Sequence, residues 1–197
     1  MMRFRLHGAN PEKLYDAFGV AMPKKISDFS TNTNALEWDG KINADLKKLL
    51  CDYPDDESSS LRSLIASANN CKEENILVTN GSNEAIYIIA SYFASGCNCI
   101  LQPVYGEYER ALKSYGSAPL NIFSRNSIPE SADTVWLCNP CNPTGQFIKD
   151  CEIKDLLDSN KDKIFIIDEA YRDFLINGGD NIQSRIFDNV IYLRSLT

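Results

Sequence analysis

The sequence has no apolar run long enough to cross a membrane. The longest run, residues 85–94, is far shorter than the roughly 20 residues that a transmembrane helix needs. The first ten residues include two arginines but no apolar segment behind them, so they do not have the pattern of a secretory signal. We therefore predict a cytoplasmic protein without a membrane partner.

Histidine and excess positive charge are also lacking. The single histidine, His7, lies far from two close pairs of cysteines, which weakens a zinc-site interpretation. These pairs are Cys97 with Cys99 and Cys138 with Cys141. The net charge of -7 does not favour binding to nucleic acid. We predict neither a metal site nor a nucleic-acid partner.

The remaining composition is that of an ordinary globular chain, with 44% hydrophobic residues in a length of 197. From about residue 60, short apolar segments alternate with helical ones. The predicted strands are residues 76–79, 99–102, 134–138, 164–167 and 190–193, and the predicted helices are 105–115, 152–157 and one ending at 94. Short apolar strands separated by helices are typical of a parallel sheet covered on both faces. We predict an α/β fold of this kind.

The first 40 residues differ from the rest. They contain two prolines and many Asn, Ser and Thr residues, with no sustained periodicity. We expect residues 1–40 to form an N-terminal arm that packs on something else, and residues 41–197 to form the larger domain.

Polar clusters follow the predicted strands, and ligands of open parallel sheets collect at the carboxyl ends of strands. In the first cluster, Gly81 permits a tight turn and Ser82 or Asn83 can cap the next helix. The free N–H groups of such a helix start favour a phosphate. Simple helix capping explains this cluster equally well.

Aromatic and amide side chains follow the next strands. Tyr105 can lie flat on a planar ring, but packing at helical spacing explains both Tyr105 and Tyr108 more simply. Residues 139–145 hold two Asn-Pro steps and Gly145, which predict a rigid loop that presents amide side chains. A plain turn rarely needs two such steps, so a functional loop is favoured.

An acidic pair, Asp168 and Glu169, follows the apolar strand 164–167. A buried carboxylate is costly without a partner, so a cationic partner is expected. A Mg²⁺ site in a nucleotide-binding protein is the alternative. The G-x-x-x-x-G-K-[ST] phosphate loop that usually accompanies such a site is missing.

In combination these motifs resemble the class I/II aminotransferases, the fold-type I enzymes that use pyridoxal 5'-phosphate (PLP). The motifs are residues 81–83, Pro103-x-Tyr105, 139–145, 168–171 and 193–197. Residues 7–10, 28–34 and 53–55 are most similar to the L-threonine-O-3-phosphate decarboxylases. The related histidinol-phosphate aminotransferases share most of the later motifs. The chain departs from the usual pattern at Ala35, where Pro is common, and at Cys141, where Asn is common.

The resemblance implies roles around the cofactor, which acts as an electron sink. Asp168 would pair with the protonated ring nitrogen, which would supply the cation that this buried carboxylate needs. Asn142 and Tyr171 would bond the phenolic oxygen, and Tyr105 would stack on the ring. The residues expected at the cofactor phosphate are Gly81, Ser82, Asn83, Ser195 and Thr197.

The resemblance also implies a homodimer and a phosphorylated substrate. Tyr53 would reach the cofactor phosphate of the neighbouring subunit. His7 and Asn32 would lie near the substrate, a phosphorylated amino acid or amine. Asp168 and Tyr171 are the expected catalytic residues.

The lysine that holds the cofactor in this family follows the pattern seen here as Ser195-Leu196-Thr197, where the sequence ends. The last lysine present, Lys163, precedes the strand that carries Asp168. We expect the chain to be the N-terminal part of a decarboxylase-like enzyme of cobalamin biosynthesis, inactive by itself and a weak PLP binder. The alternatives are a histidinol-phosphate or other aminotransferase, and a non-catalytic truncated remnant.

Overall fold

The computed structural model describes residues 10–32, 40, 45–175 and 187–196. The chain divides into two compact units, Met1–Tyr53 and Pro54–Thr197. The first unit contains helices α1 (Pro11–Ala17) and α2 (Leu46–Cys51). Pro11 suits the first turn of a helix, because its missing N–H would have no partner there. The role expected for residues 1–40 as an arm stays a prediction.

The second unit is built on parallel strands. Its helices are α3 (Ser59–Asn69), α4 (Ser82–Phe93), α5 (Glu107–Ser114) and α6 (Asp150–Asp158). Its strands are β1 (Asn98–Leu101), β2 (Leu120–Ile122), β3 (Thr134–Cys138), β4 (Ile164–Asp168) and β5 (Val190–Leu193). The described strands pair in the order β2-β1-β3-β4-β5, and every pair is parallel. The predicted α/β class is therefore confirmed.

Alternating residues of the central strand β3 fill a core on each face of the sheet. Trp136 packs with residues of α4 and α5 on one face. Val135 and Leu137 pack with Ile153 and Leu157 of α6 on the other. All five residues of β3 are buried, as expected for a parallel strand with both faces covered. Helices on both faces were predicted, and the structure confirms them.

The sequence prediction is wrong about two strands. Residues 76–79 are not a strand: they follow a 3-10 turn at Glu73–Asn75, and the side chain of Leu77 is 70% exposed. Apolar composition signals burial, whereas a strand also needs a neighbour for its N–H and C=O groups, and none of the described strands pairs here. Strand β2 was missed because it has only three residues, one of them the polar Asn121.

The helix after β1 starts later than predicted. It begins at Glu107 rather than at 105, so Tyr105 lies in the connecting loop. None of the helices within the described ranges is long and apolar enough to span a bilayer.

Candidate functional site

The sheet register brings the carboxyl ends of three strands side by side. Cys138 of β3 is paired with Asp168 of β4, and Asp168 is paired with Leu193 of β5. The segments that follow these strands therefore leave the sheet at one edge. Each segment carries residues that the sequence predicts for the site.

Asp168 is the buried carboxylate at this edge, with 5% of its surface exposed. Its Oδ2 accepts a hydrogen bond from the Tyr108 hydroxyl at 2.6 Å, and its Oδ1 accepts one from the Ala170 N–H at 2.9 Å. Burial raises the pKa of Asp168 and these two bonds oppose the increase, while the adjacent Glu169 raises it further. Within the described ranges, no Lys or Arg forms an ion pair with Asp168.

Tyr108 is the functional neighbour that the sequence reasoning treated only as packing. Its ring is 1% exposed and lies 5.9 Å from the Trp136 ring. Burial and the charge of Asp168 raise the pKa of Tyr108 well above its usual value, so the phenol remains a donor. Two signals were available: a buried tyrosine hydroxyl needs a partner, and a buried carboxylate needs donors.

Tyr105 lies at the surface of the same aromatic group. Its ring meets the Tyr108 ring edge to face, with centroids 5.8 Å apart and planes at 80°. Its hydroxyl donates to Asn83 Oδ1 at 3.3 Å, which connects the loop after β1 to the start of α4. The structure thus brings together two residues that the sequence predicted on separate motifs.

The turn before α4 has the backbone of an open helix start. Gly81 is the N-cap residue with φ +84°, and no side chain caps the helix. The expectation that Ser82 or Asn83 caps the helix is wrong, because both lie inside its first turn. Glu84 instead reaches back and accepts from the Asn80 N–H at 2.5 Å. An uncapped helix start presents N–H donors and the positive end of the helix dipole to an anion.

The two Asn-Pro steps have different positions in the loop after β3. Asn139 is fully buried, and its side chain exchanges two hydrogen bonds with the backbone of Ile148, at 2.9 and 2.8 Å. Asn142 is half-buried, and its N–H lies 3.5 Å from the Cys138 sulfur. The Cys141 thiol donates to the Pro103 carbonyl at 3.2 Å. The first Asn therefore fastens the loop, while the second lies on its accessible side.

Burial also explains the chemistry of the Cys138 thiol. Desolvation first, and then the charge of Asp168, raise the pKa of Cys138 to about 12. Such a thiol stays protonated at neutral pH and is a poor nucleophile or metal ligand. The described residues contain no group of three or more His, Cys, Asp or Glu side chains that could hold a metal ion.

The cation expected for the acidic pair is present, but it pairs with Glu169. Glu169 accepts hydrogen bonds from Arg172 and from Arg194, which follow β4 and β5. The sequence reasoning assigned the whole need for a cation to Asp168 and missed both arginines. The position of Arg194 directly after the predicted strand 190–193 was the available signal for one of them.

The other predicted residues have fewer described contacts. Tyr171 is half-buried with its ring 6.2 Å from Phe174, and Ser195 is half-buried after β5. Tyr53 and Asn32 are exposed residues of the first unit. His7 and Thr197 lie outside the described residues. Lys163 is buried at the opposite end of β4 from Asp168, where its Nζ donates to the Glu130 carbonyl at 2.9 Å.

Comparison with known proteins shows the family of this chain. Residues 12–196 match the family model of aminotransferase class I and II. The crystal structure of L-threonine-O-3-phosphate decarboxylase from Porphyromonas gingivalis is similar, with a TM-score of 0.69 and 30% identity, covering 76% of this chain and 51% of that one. This chain belongs to the class I and II aminotransferase family.

Two curated relatives give the extent of the match. Histidinol-phosphate aminotransferase from Caldicellulosiruptor saccharolyticus is 30% identical over 77% of this chain and 47% of that protein. The adenosylcobalamin biosynthesis bifunctional protein CobDQ from Leptospira interrogans is 28% identical over 97% of this chain and 24% of that protein. The chain thus spans half or less of the length of these relatives.

Proposed function

We propose that this chain forms the cofactor-binding part of a PLP-dependent enzyme that acts on a phosphorylated amino acid or amine. The observation that carries the proposal is the difference between two neighbouring buried carboxylates. Glu169 has two arginine partners, whereas Asp168 has only neutral donors among the described residues. A buried carboxylate without an internal cation fits a cationic ring nitrogen of the cofactor.

The donor set around Asp168 fits the rest of that cofactor. The open start of α4 at Gly81 would hold the phosphate, together with Ser82, Asn83, Ser195 and Thr197. Tyr105 would lie against the ring, and Asn142 and Tyr171 would donate to its phenolic oxygen. When bound, PLP supplies an electron sink for the bond that breaks at the substrate Cα. The residues of this chain fix the cofactor's orientation and keep its ring nitrogen protonated.

We further propose a homodimer in which Tyr53 binds the cofactor phosphate of the partner subunit, and in which His7 and Asn32 lie near the substrate. The expectation that the chain by itself lacks the tethering lysine also stays a prediction. Lys163 is a poor candidate for that role, since it lies at the far end of β4 from Asp168.

Among reactions, we favour decarboxylation of a threonine-phosphate-like substrate. The similarity to the Porphyromonas decarboxylase and the match to the cobalamin-biosynthesis protein over nearly the whole chain support this choice. An aminotransferase acting on histidinol phosphate is the second candidate, supported by the Caldicellulosiruptor relative. The natural full-length protein should release CO₂ from threonine phosphate without a 2-oxo acid. Activity that requires a 2-oxo acid acceptor would instead identify the aminotransferase.

Cofactor binding is tested separately from the reaction. Titration with PLP, followed by absorbance and fluorescence, should show saturable binding that Asp168→Asn weakens by at least about tenfold, because one buried charge pair is lost. Asp155→Asn, an exposed carboxylate on α6, is the matched control and should bind like the wild type. Equal binding by the wild type and Asp168→Asn would refute the assignment of Asp168.

A further inference from the structure

The carboxylate next to Asp168 belongs to an ionic cluster in which Glu169 and Arg172 are buried and the Arg194 side chain is 36% exposed. The Glu169 side chain has no exposed surface. Its Oε2 accepts from Arg194 Nη2 at 2.8 Å and from Arg194 Nε at 3.1 Å, and its Oε1 accepts from Arg172 Nη1 at 3.3 Å. We call Glu169, Arg172 and Arg194 the Glu169 clamp.

The charge of Arg172 is shared with a second carboxylate. Its Nη2 lies 2.6 Å from Asp150 Oδ2 at the start of α6, and both side chains are buried. Arg194, in contrast, has Glu169 as its described ion-pair partner, so it is the cation that balances Glu169. Without Arg194, Glu169 would lose one of its two described arginine partners.

The two adjacent carboxylates interact with opposite sides of the sheet. Asp168 meets Tyr108 of α5, whereas Glu169 connects through Arg172 to α6. Besides burial, the groups that shift the pKa of Asp168 are the Tyr108 hydroxyl, the Ala170 N–H and the charge of Glu169. Among these groups, Glu169 is the only carboxylate. Burial has the largest effect, and the charge of Glu169 adds to it unless a cation compensates that charge.

We propose that the Glu169 clamp is an electrostatic positioning device, in which Arg194 neutralises Glu169 so that Asp168 keeps its negative charge for the cofactor ring. This inference rests on the proposed function, since it assigns the charge of Asp168 to PLP. Ion clusters with buried members often add little stability compared with apolar residues of the same size. Setting the charge of Asp168 is a role that apolar residues at these positions could not have.

The direct test measures the titration of Asp168 in the natural protein without PLP. Aspartate labelled with ¹³C at the carboxyl carbon gives the midpoint, and the spectrum of Asp168→Asn assigns the signal. Arg194→Met should raise the midpoint by about half a pH unit or more, because a neighbouring buried charge loses its partner. Glu169→Gln should lower the midpoint.

Opposite shifts separate electrostatics from structural damage. The double variant Glu169→Gln/Arg194→Met should return the midpoint towards the wild-type value, and Arg194→Lys should shift it less than Arg194→Met. An unchanged midpoint in Arg194→Met would overturn the proposal. If Arg194→Met does not fold, an unchanged or raised midpoint in Glu169→Gln would overturn it equally.

A second readout distinguishes this inference from the proposed function. In Arg194→Met, the loss of PLP affinity at acid pH should move to higher pH by the same amount as the Asp168 midpoint. A wild-type protein that does not bind PLP would refute the proposed function, while the midpoints would still decide the clamp. PLP binding with unshifted midpoints would refute the clamp alone.

Discussion

The Tyr108 hydroxyl donates a hydrogen bond to Asp168 Oδ2 at 2.6 Å across the interface between α5 and β4. Both groups are buried, and this bond opposes the desolvation that raises the pKa of Asp168. A packing tyrosine of the helix thereby favours the charged form of the residue proposed to bind the cofactor ring.

Replacement of Tyr108 by Phe should weaken this control. Loss of the donor leaves Asp168 with the Ala170 N–H as its described partner, so the pKa of Asp168 should rise further. PLP affinity at neutral pH should fall severalfold, and unfolding should cost about 1–3 kcal/mol less. PLP titrations between pH 5 and 8 and urea denaturation measure both effects. Tyr115→Phe, an exposed position at the end of α5, is the control and should change neither.

The raised pKa of Asp168 also predicts how stability depends on pH in the absence of cofactor. A carboxyl group with a folded pKa above its unfolded value of about 3.9 stabilises the folded chain fully below that unfolded value. This contribution is lost as the pH rises through the folded pKa. Asp168→Asn should therefore gain stability relative to the wild type as the pH rises from about 4 through the folded pKa of Asp168. Urea midpoints that change in parallel for both proteins would contradict this prediction.

The sequence predicted the parallel sheet well because its apolar strands are distinctive. Thr134–Cys138 and Val190–Leu193 match the predicted strands in full. Residues 76–79 have the same apolar character but no described strand beside them. Apolar composition shows that a segment is suited to burial, whereas strand formation depends on a neighbour that the local sequence does not encode.

The sequence predicted which positions carry the site residues better than it predicted which side chains contact each other. Strand ends and loop motifs marked Asp168, Asn142 and Tyr105 along the chain. Tyr108 lies 60 residues from its partner Asp168, and Arg194 lies 25 residues from its partner Glu169. The packing of α5 and the register of β4 and β5 bring these groups into contact, so side-chain pairing had to come from the structure.

Gly81 provides a test of the proposed phosphate turn. Its φ of +84° and ψ of 163° lie in a region that is essentially restricted to glycine. Gly81→Ala should destabilise the folded chain by about 1–3 kcal/mol through backbone strain and lower its affinity for PLP. Gly106→Ala is a matched control, because Gly106 has an ordinary φ of -68° and an added Cβ meets nothing within 4 Å at either position. Equal denaturation midpoints for the two variants would contradict the strain argument.

The two asparagines of the loop after β3 should separate stability from cofactor binding. Asn139→Ala removes the side chain that bonds the N–H and the carbonyl of Ile148, and it leaves both groups without that partner inside the protein. We therefore expect a loss of about 2–4 kcal/mol in unfolding free energy. Asn142→Ala removes a half-buried side chain and should cost less than about 1 kcal/mol, yet reduce PLP affinity severalfold. Denaturation curves and PLP titrations of the two variants provide the comparison. Since each variant is the other's control, a large stability loss with unchanged PLP affinity in Asn142→Ala would show that both residues only hold the loop in place.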